Sequence, residues 1–218
     1  MKFDIITIFP EIFSSYFNES IISRAQKKKI IEIKIHNLRD FTTDKHQTTD
    51  DTPYGGGAGM VMKVEPIYEA IKSIKSESKR PRKTRIILFS AKGRRYTQAD
   101  AKRLSKYDNL ILICGRYEGV DERVAKYIAD EEISIGDYVL TGGEIPAMIL
   151  VDSASRLLPG ALGNNQSIKD ESHGVKGYLE YSQYTKPEKF LEWNVPKVLL
   201  SGNHKKIEEW KKEQSKIK

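Results

Sequence analysis

Four apolar residues in a row, Leu110-Ile111-Leu112-Ile113, run straight into Cys114-Gly115-Arg116-Tyr117-Glu118-Gly119-Val120-Asp121-Glu122-Arg123. A second short strand, near Glu132-Ile133-Ser134-Ile135, runs into Gly136-Asp137-Tyr138-Val139-Leu140-Thr141-Gly142-Gly143-Glu144-Ile145-Pro146. Strand ends that open into Gly-rich, carboxylate-bearing loops mark the ligand edge of an α/β sheet. Glycine there lets backbone N–H and C=O groups approach a small molecule closely. The pattern argues for a small-molecule site.

The rest of the chain alternates in the same way. Strands are expected at Phe3–Ile8, Ile31–Ile35, Arg85–Phe89, Asn109–Ile113 and Glu132–Ile135. Helices are expected near Glu11–Asn18, Ser20–Lys28, Glu65–Ile74, Thr97–Ser105, Asp121–Ala129, Gly143–Leu158 and His204–Ser215. Pro66 suits a first helical turn, and Thr97 with Asp100 reads as an N-cap with its acidic partner. The alternation implies βαβ units and an α/β fold with a mainly parallel sheet. The helix from Glu144 carries Ile145, Met148, Ile149, Leu150, Val151, Leu157 and Leu158. That apolar surface is wide for a helix lying on one sheet face, and a partner subunit would cover the remainder. Between Gly160 and Lys176 the pattern lapses into a linker. The expected organisation is a cofactor-binding domain over 1–160, a flexible linker over 161–176, and a small helical domain over 177–218.

The length of 218 residues is ample for a real core. No apolar run approaches the roughly 18 residues of a membrane span, and the N-terminal run, interrupted by Asp4 and stopped by Pro10, is no signal peptide. A lone cysteine, Cys114, excludes an internal disulfide framework and favours a cytoplasmic setting. It reads as a small buried filler. A net charge of +7 suits a polyanionic partner. Lys27-Lys28-Lys29, Lys79-Arg80-Pro81-Arg82-Lys83, Lys92-Gly93-Arg94-Arg95 and the C-terminal lysines are separate basic clusters. Singly, each reads as a solvated face; together they favour nucleic acid modestly.

Other chemistries lack support. No Gly-x-Gly-x-x-Gly follows a first strand, and no Gly-x-x-x-x-Gly-Lys-Ser/Thr occurs. His36, His46, His173 and His204 lack zinc spacing and companion cysteines. Asp50-Asp51-Thr52-Pro53-Tyr54-Gly55-Gly56-Gly57-Ala58-Gly59-Met60 reads equally as a flexible surface loop or as a loop that closes over a ligand.

Taken together, six motifs resemble the bacterial tRNA (guanine-N1)-methyltransferases of the TrmD type, in the SPOUT superfamily. They are Asn37–Phe41, Asp50–Met60, Cys114–Arg123, Ile133–Pro146, Asp152–Arg156 with its two serines, and Leu199-Leu200-Ser201-Gly202-Asn203-His204, in the family's order over almost the whole chain. The resemblance implies methyl transfer from S-adenosyl-L-methionine to N1 of the guanosine just 3′ of the tRNA anticodon. It also implies a deep trefoil knot in the sheet's C-terminal part, a homodimer whose active sites use both chains, and Mg²⁺ for full activity, although no metal spacing is visible here. The positions matching the family's cofactor pocket are Leu88, Phe89, Ser90 and Ala91, then Gly115, Tyr117, Glu118 and Gly119. Ser134, Ile135, Gly136, Tyr138, Val139, Leu140, Gly142, Gly143 and Pro146 complete it.

Guanine N1 must lose a proton before it attacks, and a carboxylate beside it can act as general base. The family uses a linker aspartate; counted without gaps from Arg156, the matching residue is Glu171. Either Glu171 serves or Asp170 moves forward by one position, and Glu171 is preferred. The departure keeps a non-catalytic RNA- or cofactor-binding homologue in play as the alternative; a methylase for another RNA is a further one. Arg156 matches an arginine that polarises guanine O6; its plainer reading is a cation at a helix C-terminus. Glu118 faces the donor's sulfonium or else accepts from backbone N–H groups of its own loop. Arg24, His46, Asp50 and Asp51 match positions of tRNA contact or loop ordering. The last helix, with Lys205-Lys206 near its N-terminus, is expected to meet phosphates; many relatives carry a further tail beyond it.

Overall fold

The computed structural model describes residues 1–77, 83–162, 171–175 and 177–217. Asp170, most of the expected linker and the basic residues 79–82 lie outside the described residues. The chain divides into two compact units, 1–163 and 164–218.

The first unit is built on five strands: β1 (Lys2–Thr7), β2 (Glu32–Asn37), β3 (Thr84–Arg95), β4 (Asn109–Cys114) and β5 (Glu131–Ser134). They lie in the order β2-β1-β4-β3-β5, and every pairing is parallel. The α/β expectation with a mainly parallel sheet is met. Central β4 is buried at every residue. Its alternate side chains supply both cores, as the two-residue period of a strand demands. Leu110, Leu112 and Cys114 join Phe3, Ile5, Ile87 and Phe89 on one face; Ile111 and Ile113 join Ile6, Ile86 and Leu88 on the other.

Helices cover both faces. Within the first core lie α1 (Ser20–Lys27), α3 (Gln98–Leu104) and α5 (Glu144–Ser155), through residues such as Ile22, Leu104, Ala147, Leu150 and Ala154. Within the second lie α2 (Val64–Ser76) and α4 (Glu122–Tyr127), through Ile67, Ile71, Ile74 and Val124. The expected cap of α3 is present: the Asp100 carboxylate accepts from the Thr97 N–H at 3.0 Å and its hydroxyl at 2.8 Å. Two expectations need correction. The first expected helix is a 3₁₀ turn, Pro10–Phe13, followed by a single helical turn, Ser14–Phe17. Strand β3 continues six residues past Phe89. It pairs with β5 at Ile87–Phe89, breaks register, and pairs again at Arg94–Arg95. Ladder bonding uses backbone, so a polar run can extend a strand, and Gly93 allows it. A Cβ there would lie 2.6 Å from the Ile133 nitrogen.

The cations of that run are spent on acids within the chain. Lys92 pairs with Glu122, Arg94 with Asp100 and Glu131, and Arg95 with Asp137. Glu131 also receives Arg85 and Arg103. Burial raises the Glu131 carboxyl, but the three guanidiniums outweigh it and hold it at about 2.

In the second unit, Trp210 of α6 (His204–Gln214) packs against the rings of Tyr181 and Tyr184, with centroids 6.5 and 6.3 Å away. Asn203 caps that helix, its Oδ1 accepting from the Lys206 N–H at 3.2 Å. No described residue of this unit is fully buried, as a segment of this length predicts.

Candidate active site

The middle of β3 and the C-terminal ends of β4 and β5 open into one cavity of about 420 Å³, within the range of small-molecule sites. Every expected cofactor position lines it except Gly136. Gly136 instead lies under the Tyr138 ring, where a Cβ would come 2.4 Å from a ring carbon. Its N–H and C=O are taken by the Ser134 hydroxyl, at 3.2 and 2.9 Å.

The cavity wall is two loops zipped together. The Gly143 N–H donates to the Gly115 carbonyl at 2.9 Å, and Arg116 bridges Gly142 in antiparallel fashion. A third segment joins them. The Met62 N–H donates to Gly119 O at 2.9 Å, the Glu118 N–H to Met60 O at 3.1 Å, and the Asp121 N–H to Met62 O at 3.0 Å. The Gly-rich segment before Met60 is therefore tethered to the cavity loop at its exit. A Cβ on Gly59 would lie 2.5 Å from the Glu118 side chain, so this glycine makes room for that carboxylate.

The lining is divided in character. Phe89, Tyr138, Val139, Leu140 and Pro146 offer apolar surface for a flat ring, while Lys92, Glu118, Glu122 and Glu132 are charged. Lys92 and Glu122 neutralise each other at 2.6 Å. Among the described residues, the Glu118 carboxylate accepts no backbone N–H, which removes its plainer reading. One Glu132 carboxylate oxygen is buried without a partner. Cys114 lies beneath the loops, fully buried, and burial pushes its thiol well up. It is filler, as its position between strand and glycine suggested.

Sequence reading missed Lys92, Arg116, Val120, Glu122, Ala125, Glu132, Ile133 and Thr141 in the lining. Arg116, Val120, Glu122, Ile133 and Thr141 sat inside the recognised motifs. Glu122 and Ala125 carried a readable signal, being three apart and thus on one face of α4.

The other expected residues are placed as follows. Arg156 is the C-cap residue of α5, its N–H donating to Asp152 O at 3.1 Å. Glu171 is half-buried in the second unit, its carbonyl accepting from the Gly174 N–H at 3.0 Å. Arg24 is exposed on α1, and His46 is exposed in a turn where its N–H meets Asp44. Asp50 and Asp51 pair antiparallel with Val61–Met62. Among the described residues, no group of three or more His, Cys, Asp or Glu is arranged to hold a metal, and no helix is long and apolar enough to cross a membrane.

The family described as tRNA (Guanine-1)-methyltransferase TrmD matches residues 1–218. Curated proteins named tRNA (guanine-N(1)-)-methyltransferase align over 215 residues, 99% of this chain. That of Dictyoglomus turgidum is 55% identical with 85% of its own length covered. Those of Carboxydothermus hydrogenoformans and Clostridioides difficile are 54% and 52% identical, with 83% and 92% covered.

Proposed function

Because the chain belongs to the tRNA (guanine-1)-methyltransferase TrmD family, we propose that it transfers a methyl group from S-adenosyl-L-methionine to N1 of the guanosine immediately 3′ of the anticodon. The membership favours a working enzyme over the non-catalytic homologue that Glu171 kept in play. The observation that carries the cofactor assignment is the cavity itself. Its glycine-zipped loops give a backbone-lined cradle, and its apolar side chains suit a purine.

When bound, S-adenosyl-L-methionine supplies an electrophilic methyl carbon on a sulfonium and departs as the neutral thioether. Glu118, in the cavity wall, would offset that positive charge. Glu171 takes the N1 proton as general base, freeing the nitrogen lone pair. Arg156 stabilises the negative charge that then builds on O6, where a planar guanidinium fits. Arg24, His46, Asp50 and Asp51 hold the anticodon region, and α6 with Lys205 and Lys206 meets the tRNA backbone. Among the described residues no group of three or more His, Cys, Asp or Glu is arranged to hold Mg²⁺.

A second copy of the chain completes the reading. Ile145 and Ile149 on α5 are 52% and 39% exposed. Two apolar residues one turn apart form a face that a sister protomer would cover, and in this arrangement Glu171 serves the partner's cavity. The threaded sheet of the superfamily and a cytoplasmic setting belong to the same proposal.

Tritiated methyl transfer to a tRNA transcript tests it. Incorporation is expected with guanosine after the anticodon and is lost with another base there. Folded protein that transfers nothing to either transcript refutes the activity. Glu171→Gln should lower kcat at least ~100-fold; unchanged turnover in that variant, with loss in Asp170→Asn, moves the base to Asp170.

A further inference from the structure

We propose that Glu144 is a positioning residue for the donor cavity. It holds Arg116 and, through Arg116, fixes the spacing of the two glycine-rich loops between which the methyl donor must fit. The inference rests on reading that cavity as the S-adenosyl-L-methionine site.

Glu144 is the first residue of α5 and its side chain is 2% exposed. Two groups converge on it. The Thr7 hydroxyl, at the end of β1, donates to Oε1 at 2.7 Å. The Arg116 Nε lies 2.9 Å from Oε2. The latter contact is an ion pair whose angle falls outside hydrogen-bond geometry, so both atoms keep bonding capacity. Arg116 belongs to the opposite loop. Its Nη1 donates to the Thr141 carbonyl at 3.3 Å, and its guanidinium sits 4.7 Å from the Phe9 ring centroid, a favourable cation–π distance. One guanidinium thus reaches from the 115–119 loop to the 140–143 loop, and Glu144 and Thr7 fix it from the sheet side.

Gly142 belongs to the same device. A Cβ there would lie 2.3 Å from Arg116 Nε and 2.6 Å from Glu144 Oε2. The ion pair occupies the space that any side chain at 142 would need. The docking of α5 on the sheet is carried elsewhere, by Ala147, Leu150, Val151 and Ala154. Arg116, Thr141 and Gly142 line the cavity, so what the pair controls is the cavity wall. A carboxylate and guanidinium this buried are not a cheap route to stability; their value here is that a charged pair of fixed geometry sets loop spacing.

The test combines titration calorimetry with S-adenosyl-L-methionine, steady-state kinetics on tRNA, and thermal melting. Glu144→Gln should raise both the donor Kd and the donor KM on the order of tenfold, the loss of one charge-assisted contact, with the tRNA KM unchanged. Thr7→Val, which creates no unpaired charge, should shift the same two constants in the same direction by a smaller factor. The Arg116→Met/Glu144→Gln double variant leaves no buried charge unpaired. It should melt near the wild type and still bind the donor weakly. A lowered melting temperature with an unchanged donor Kd in the folded variants would mean a merely structural pair and would overturn the inference. No heat from the folded wild type would count instead against the cavity reading itself.

Discussion

Gly143→Ala is a one-methyl perturbation of the loop junction. Gly143 has φ −83° and ψ −2°, a conformation alanine adopts freely, so no backbone strain enters. The obstacle is contact: the new Cβ would lie 2.6 Å from Cys114 Cα and 3.0 Å from the Gly115 nitrogen. Carbon atoms rest about 3.5–4.0 Å apart, so the loops must part by roughly 1 Å. The Gly143 N–H to Gly115 O bond, 2.9 Å long, then stretches beyond hydrogen-bonding range. Its loss costs about 1 kcal/mol, and forcing a methyl into a packed junction adds about 1–3 kcal/mol. Alanine's stiffer unfolded chain returns about 0.4–1 kcal/mol. The net destabilisation is about 2 kcal/mol, and at about 2–4 °C per kcal/mol for a chain this long the melting temperature falls by roughly 4–8 °C. Because the junction is the cavity wall, donor affinity should fall with it. Differential scanning calorimetry and titration with S-adenosyl-L-methionine read both. An alanine variant that melts and binds like the wild type would show that the zipped loops do not need this close approach.

Two further expectations follow from buried and clustered ionisable groups. Glu131 is held at about 2, below its ordinary 4.5, so its contribution is present above about pH 4.5 and disappears as pH falls toward 2. Its side chain is 7% exposed, but its arginine partners are 33–46% exposed, so solvent screening limits the contribution to about 1–2 kcal/mol. Urea unfolding of wild type and Glu131→Gln should show a stability gap at pH 7 that narrows below pH 4.5; a pH-independent gap contradicts the ionic account. Cys114, its thiol pushed up by burial, should resist maleimide in the native protein and react after denaturation. Rapid native labelling would mean the loops above it open readily.

Local features were legible because they depend on neighbours in the chain. Thr97 and Asp100 are three residues apart and cap α3 as their types predict. The apolar run at 110–113 became a central strand, covered on both faces, where four consecutive apolar residues leave water together. The two glycine-rich blocks announced a small-molecule site through composition; the individual positions came from the family resemblance, and all but one of them line the cavity. The end of β3 was illegible for the complementary reason: its residues are polar, and a backbone ladder with β5 holds them.

Sequence alone, then, determined the α/β alternation, the parallel sheet and the loops that form the cavity, since each is written in residue periodicity or in glycine placement. Tertiary structure decided which atoms meet in it. Thr7, Arg116 and Glu144 are far apart in the chain and converge within 2.7–2.9 Å. Gly142 and Gly143 sit where an added Cβ would come within 2.3 and 2.6 Å of neighbouring atoms, at ordinary backbone angles in Gly143. Such contacts depend on where β1, β4 and α5 end relative to one another, and that is set by packing of the two cores, which no local pattern encodes.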